Sequence, residues 1–83
     1  MSRYTLYILR CADETLYTGI TVDLERRVRE HNTSTRGAKY TRGRRPVRLV
    51  YSQSFKNRSA ASMAEARVKQ LSRAQKLKLI RTQ

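Results

Sequence analysis

Five side chains in this sequence are of types that do chemistry, at spacings that could bring them together: Tyr7, Tyr17, Arg27, His31 and Glu65. Tyr7 and Tyr17 fall in two short apolar runs separated by a turn, so they belong to facing strands of a hairpin. The register decides whether they meet: paired positions with an even sum put both phenols on one sheet face, an odd sum parts them. Such a pair either packs as cross-strand aromatics or moves a proton. A phenol with a pKa near ~10 needs positive charge or a metal nearby to act as a base at neutral pH. Arg27 and His31 stand one helical turn apart and share a face. A guanidinium there can be an ordinary solvated cation, like its neighbours Arg26 and Arg29, or can grip two non-bridging oxygens of a phosphate. The imidazole can shuttle a proton, donate to phosphate, or sit at a helix C-terminus for the sake of the dipole. Glu65 precedes Lys69 by one turn, the favourable order for a surface pair. A lone carboxylate cannot cage Mg²⁺, but it can hold one jointly with phosphate oxygens and water.

The charge distribution makes Glu65 stand out. The chain has 83 residues with a formal net charge of +13. Residues 1–30 are balanced, with five Arg against five acids. Residues 31–83 carry fourteen Lys and Arg and a single acid, Glu65, so the entire excess lies there. A chain this basic expects a polyanionic partner, usually nucleic acid. A protein that only coats phosphate has no evident need for the one remaining carboxylate. Residues 1–83 are expected to form one domain, since the length allows only one small core. No apolar run reaches the ~18–20 residues of a membrane span. Arg10 interrupts the only N-terminal apolar run, which argues against a signal peptide. The lone Cys11 excludes an internal disulfide and points to a reducing, cytoplasmic setting.

The elements that must position these groups read as β-β-α-β-α-α, an α+β fold with a small three-stranded mixed sheet flanked by helices. Residues 4–10 and 15–22 read as strands joined by turn residues 11–14. Asp23 is a plausible N-cap for a helix with Leu24, Val28 and His31 at helical spacing, ended by Asn32. Residues 33–46 hold two Gly, the only Pro and five basic residues, a basic loop. Residues 47–55 alternate as a third strand. Asn57 or Ser59 opens a helix whose apolar stripe is Ala60, Ala61, Ala64, Val68 and Leu71. Ser72-Arg73-Ala74-Gln75 has the layout of a capping box, which starts a last helix through Leu77, Leu79 and Ile80.

Tyr7, then Tyr17-Thr18-Gly19, a helix-opening Asp23, Arg27 and His31, with Glu65 downstream, resembles the signature of the GIY-YIG nuclease family. Leu6-Tyr7-Ile8 lacks the initial Gly of the first motif, and Thr18 stands where the second has Ile. The resemblance covers nearly the whole chain. It is greatest to the small stand-alone branch that shares the Gly37–Arg42 loop (GAKYTR) and the Lys69–Arg73 stretch (KQLSR).

The resemblance implies a metal-dependent endonuclease that hydrolyses DNA by in-line attack of water, leaving a 5′-phosphate and a 3′-hydroxyl. Tyr17 would take the proton and Tyr7 orient the water or base. Arg27 would stabilise the phosphate in the transition state, His31 would complete the site, and Glu65 would hold one Mg²⁺ or Mn²⁺. Gly19 would permit close approach of substrate backbone or of the Arg27 helix, or mark a bulge. Arg36, Lys39, Tyr40, Arg42, Arg44, Arg45 and Lys69 are the expected phosphate and nucleotide contacts, with Tyr40 either stacking on an unpaired base or packing the loop onto the core. The expected partner is single-stranded DNA met by a monomer, with a dimer as the alternative. A nuclease of branched or flap DNA is the next reading. A basic nucleic-acid-binding protein without catalysis is a third, since phosphate contacts alone give strong, salt-dependent binding.

Overall fold

In the computed structural model, residues 3–33 and 36–82 are described. Residues 34 and 35 of the expected basic loop lie outside them. The uninterrupted apolar run Leu6-Tyr7-Ile8-Leu9 predicts a strand covered on both faces, and β1 (Tyr4–Arg10) is the centre of the sheet, with all four of these residues at most 1% exposed. β2 (Leu16–Thr21) pairs with one edge of β1 and β3 (Arg48–Phe55) with the other, giving the order β2-β1-β3.

Both pairings are antiparallel, not the mixed arrangement expected from sequence. β2 and β3 do run in the same direction, but the apolar β1 lies between them and gives each an antiparallel partner. A register shift after Ile8 inserts Val50 into β3. Both Val50 and Tyr51 consequently join the same core cluster.

The even-numbered side of β1 packs Leu6 and Ile8 against Tyr51 and Val68, with Ala64, Leu79 and Ile80 around them. These come from α3 (Arg58–Lys69) and α4 (Arg73–Arg81). Ala61, fully buried, has only a methyl group and so lets α3 lie close to the strands. Asn57 caps α3 through Ala60 N, and Ser72 with Gln75 forms the reciprocal capping box of α4. The odd-numbered side of β1 carries Tyr7, Leu9 and Cys11, packed with Val47, Tyr17, Leu24 and Val28.

Two of those residues belong to α1 (Leu24–Thr33), whose start is fixed by Asp23 Oδ1 accepting from Arg26 N at 3.1 Å. Asn32 does not end α1. Its amide instead donates to Val47 O and accepts from Val47 N, tying the helix to the start of β3. Within the loop a four-residue helix, α2 (Lys39–Arg42), adds an element that its basic, Gly-flanked sequence gives no reason to expect. Among the described residues no helix is long and apolar enough to cross a membrane.

Candidate active site

Register brings the two tyrosines together. Tyr7 pairs with Gly19 and Leu9 with Tyr17, an even sum, so both rings lie on the α1 side, centroids 6.4 Å apart. In this structure Gly19 makes room for Tyr7. A Cβ at position 19 would lie 2.6 Å from the Tyr7 hydroxyl and 2.8 Å from its ring carbon Cζ. Gly19→Ala is therefore expected to cost roughly 1–3 kcal/mol as an overpacking change. It should also displace the Tyr7 hydroxyl; a melting curve identical to that of the wild type would refute the contact.

Tyr7 is the point at which the other four residues converge. Its hydroxyl lies 2.9 Å from His31 Nε2. Arg27 acts on the same phenol, pulling its pKa down while its own is raised in return, and the charges of Tyr17 and Glu65 act on it as well. Burial pushes the Tyr7 phenol up to about 12, against the pull of Arg27. His31 is fully buried, and its Nδ1 lies 2.8 Å from Thr41 Oγ1 on α2. Burial, with the nearby cations Arg27 and Arg45, lowers the His31 pKa from the ordinary 6.5 to about 4. The imidazole is thus neutral near pH 7, which suits a fixed hydrogen-bond partner better than a phosphate-binding cation.

Tyr17 lies over this pair from the solvent side. It is half-buried, with its ring centroid 5.1 Å from that of His31 and 5.9 Å from that of Tyr40. Tyr40 thus packs the loop onto the site. Its other neighbour is Arg44, whose guanidinium carbon stands 4.0 Å from the ring centroid. Arg44 also pairs with Asp13 of the hairpin turn at 2.9 Å.

Arg27 is held in place before any ligand arrives. Its Nη1 donates to Glu30 Oε1 at 3.0 Å and to the Arg36 carbonyl at 2.8 Å. Burial alone would lower its pKa, but Glu30 and Tyr7 outweigh that and raise it, so the charge is secure. Hydrogen bonds from Arg27 in turn hold the Glu30 carboxyl below the usual carboxylate range. Glu65, partly buried, pairs with Lys69 at 3.2 Å.

The expected phosphate contacts divide into two groups. Lys39 and Arg42 on α2 are exposed and face solvent. Arg45 instead turns inward, capping the end of α1 through the carbonyls of His31 and Glu30. Arg44 is committed to Asp13 and Tyr40, and Lys69 to Glu65. Arg36 is exposed and supplies its carbonyl to Arg27. Arg45 and Arg44 therefore brace the loop in this structure: a basic tract signals charge but not which cations the fold also engages internally. Sequence reasoning missed Thr41, Glu30 and Gly37. A Cβ on Gly37 would lie 2.6 Å from the Glu30 carbonyl, so only glycine lets this loop lie against α1.

A model of the GIY-YIG catalytic domain matches residues 3–78 of the chain. A UPF0213 protein from Syntrophus aciditrophicus is 51% identical over 81 residues, covering 98% of this chain and 93% of its own. The solution structure of UPF0213 protein BH0048 from Bacillus halodurans is 44% identical with a TM-score of 0.64, covering 98% of this chain and 85% of that one. That of EF2693 from E. faecalis is 42% identical with a TM-score of 0.68, covering 99% and 86%.

Proposed function

The chain belongs to the GIY-YIG catalytic domain family, alongside UPF0213 proteins, and from that premise we propose that it is a metal-dependent endonuclease of DNA, preferring single strands. The observation that carries this reading is the buried Tyr7–His31 pair with the Tyr17 ring beside it, at a phenol on which the charges of Arg27 and Glu65 act. A merely basic binding protein has no use for a buried Tyr–His pair beside a secured arginine and the one carboxylate of its basic half.

The donor set fits a divalent ion only in part-filled form. Among the described residues no three His, Cys, Asp or Glu side chains cluster as a metal cage. Glu65 offers hard carboxylate oxygen, and Mg²⁺ or Mn²⁺ is commonly held by one carboxylate together with substrate phosphate and water. The Lys69 ammonium must first give up that carboxylate; a bound phosphate offers it another anion. When bound, the metal would neutralise charge on the phosphate and on the leaving oxygen.

The chain's own groups do the rest. Arg27 binds two non-bridging oxygens and stabilises the charge gathering on them as phosphorus becomes five-coordinate. A water oxygen bonds to phosphorus while the bond to the 3′ oxygen breaks. Its proton passes to the Tyr17 oxygen as Tyr17 gives up its own O–H proton to solvent, and the leaving 3′ oxygen takes a proton from solvent. Tyr17 suits this part because it is the solvent-side phenol, whereas Tyr7 is 1% exposed and engaged with His31. Tyr7 orients Arg27. Lys39 and Arg42 are placed to tether the strand alongside.

The experiment incubates the full chain with end-labelled single-stranded, duplex and forked DNA, with Mg²⁺, Mn²⁺ or chelator. Cleavage of the single strand that chelator abolishes supports the reading. Binding without cleavage under every metal condition leaves the non-catalytic reading instead, and preferential cutting at the fork moves the substrate to branched DNA.

A further inference from the structure

Thr41 lies inside the basic loop, yet it is fully buried and touches no candidate substrate group. Its hydroxyl oxygen stands 2.9 Å from the Ala38 carbonyl and 2.8 Å from His31 Nδ1. A carbonyl can only accept, and a hydroxyl has one proton to give. Thr41 therefore donates to Ala38 and must accept from His31, which puts the imidazole proton on Nδ1. His31 Nε2 is then bare and accepts the Tyr7 O–H at 2.9 Å. With its proton directed at His31, Tyr7 turns its lone pairs toward Arg27.

We propose that Thr41 is a positioning residue: it sets the direction of the buried chain Tyr7 → His31 → Thr41 → Ala38, leaves the lone pairs of Tyr7 to Arg27, and so orients the guanidinium that binds the scissile phosphate. Each arrow runs from donor to acceptor, and one hydroxyl at the end determines all of them. Without the lone pair of Thr41, the imidazole proton is free to move to Nε2. It would then donate to the Tyr7 oxygen, the phenol would swing its own O–H outward, and that hydrogen would face the N–H groups of Arg27. A donor would then face the guanidinium where lone pairs had been. The ring of His31 is unchanged in either state; only the proton moves.

This proposal rests on the nuclease reading for the task of Arg27, but its first readout does not depend on activity. Thr41→Val keeps the shape and removes the hydroxyl; Thr41→Ser keeps the hydroxyl. Long-range ¹H–¹⁵N correlation on the ¹⁵N-labelled full chain reports which ring nitrogen of His31 carries the proton. The wild type and Thr41→Ser should show the proton on Nδ1, and Thr41→Val should show it moved to Nε2, with a displaced Arg27 Nε–H resonance. With Mg²⁺ and a single-stranded oligonucleotide, kcat should fall roughly tenfold to a hundredfold in Thr41→Val, as for other residues that act by orienting a ligand or catalytic group, and return in Thr41→Ser. An Nε2–H tautomer in the wild type overturns the proposal, as does an unmoved proton in Thr41→Val, or a Ser variant as impaired as the Val one. Should Thr41→Val fail to fold, the wild-type tautomer and the Ser variant decide it. A wild type that does not cleave defeats the nuclease reading, while the tautomer and the Arg27 resonance still decide the direction of the chain.

Discussion

Glu65→Gln should bind single-stranded DNA as tightly as the wild type in chelator and yet cleave it at least a hundredfold more slowly with Mg²⁺. The substitution keeps the side-chain volume and one hydrogen-bonding oxygen but removes the charge that a hard cation requires. It also frees Lys69 from its 3.2 Å partner, so affinity for phosphate should hold or rise. Arg27→Lys tests the other half of the site. It retains a positive charge but not the planar fork that spans two phosphate oxygens, and removing one such stabilising donor typically costs 10²–10³ in rate. Binding by fluorescence anisotropy and single-turnover cleavage separate the two effects. Cleavage undiminished in both variants would sink the assignment; loss of binding in parallel with cleavage would reduce these residues to tethers.

The second large effect is on stability. Unfolded, His31 titrates near its ordinary 6.5; folded, burial beside Arg27 lowers this to about 4, with Glu30 acting the other way and Arg45 adding a smaller push down. Between those values the unfolded chain holds more protons than the folded one, so stability falls as the pH falls. The contribution is complete above about pH 6.5 and lost by about pH 4, roughly 3 kcal/mol in all. The partners agree with the sign: Tyr7 donates to the neutral ring at Nε2, and a protonated ring would set a second donor against it. Comparing pH 7.5 with pH 5 isolates His31, because the lowered pKa values of Asp13 and Glu30 matter only further into acid. About 2 kcal/mol should disappear in that interval, a drop of roughly 8–16 °C in Tm for a domain of this size. His31→Gln should be nearly flat over the same range. Equal slopes in the two proteins would show that His31 is not buried as neutral imidazole.

Much of this architecture was legible because short-range rules decide it. Asp23, Asn57 and the Ser72–Gln75 box mark helix starts through bonds spanning three residues, and the apolar run of β1 announces a central strand. Strand direction was harder, since it depends on whether β3 pairs with β1 or with β2, a question settled by packing far along the chain. The five candidate residues were legible as types and spacings. Their division of labour was not: Tyr7 and Tyr17 read alike until burial sets one behind the other. The basic loop misled most. Arg42, Arg44 and Arg45 are near neighbours with one composition, but Arg42 faces water, Arg44 grips Asp13, and Arg45 caps α1. Thr41 gave no signal at all, for its importance lies in a partner ten residues away.

The alternation along β1 has a practical consequence. Leu6 and Ile8 supply one core, while Tyr7 between them supplies the hub of the site on the opposite surface. A thermostable form of this protein can therefore be sought by repacking the even positions against α4, where changes should combine additively with substitutions on the other side. The limit is α3, which crosses the partition by carrying both Val68 and Glu65. A larger side chain at Ala61 would lift the Glu65 carboxylate, the proposed metal ligand, together with the helix, trading turnover for packing at one residue of the even side.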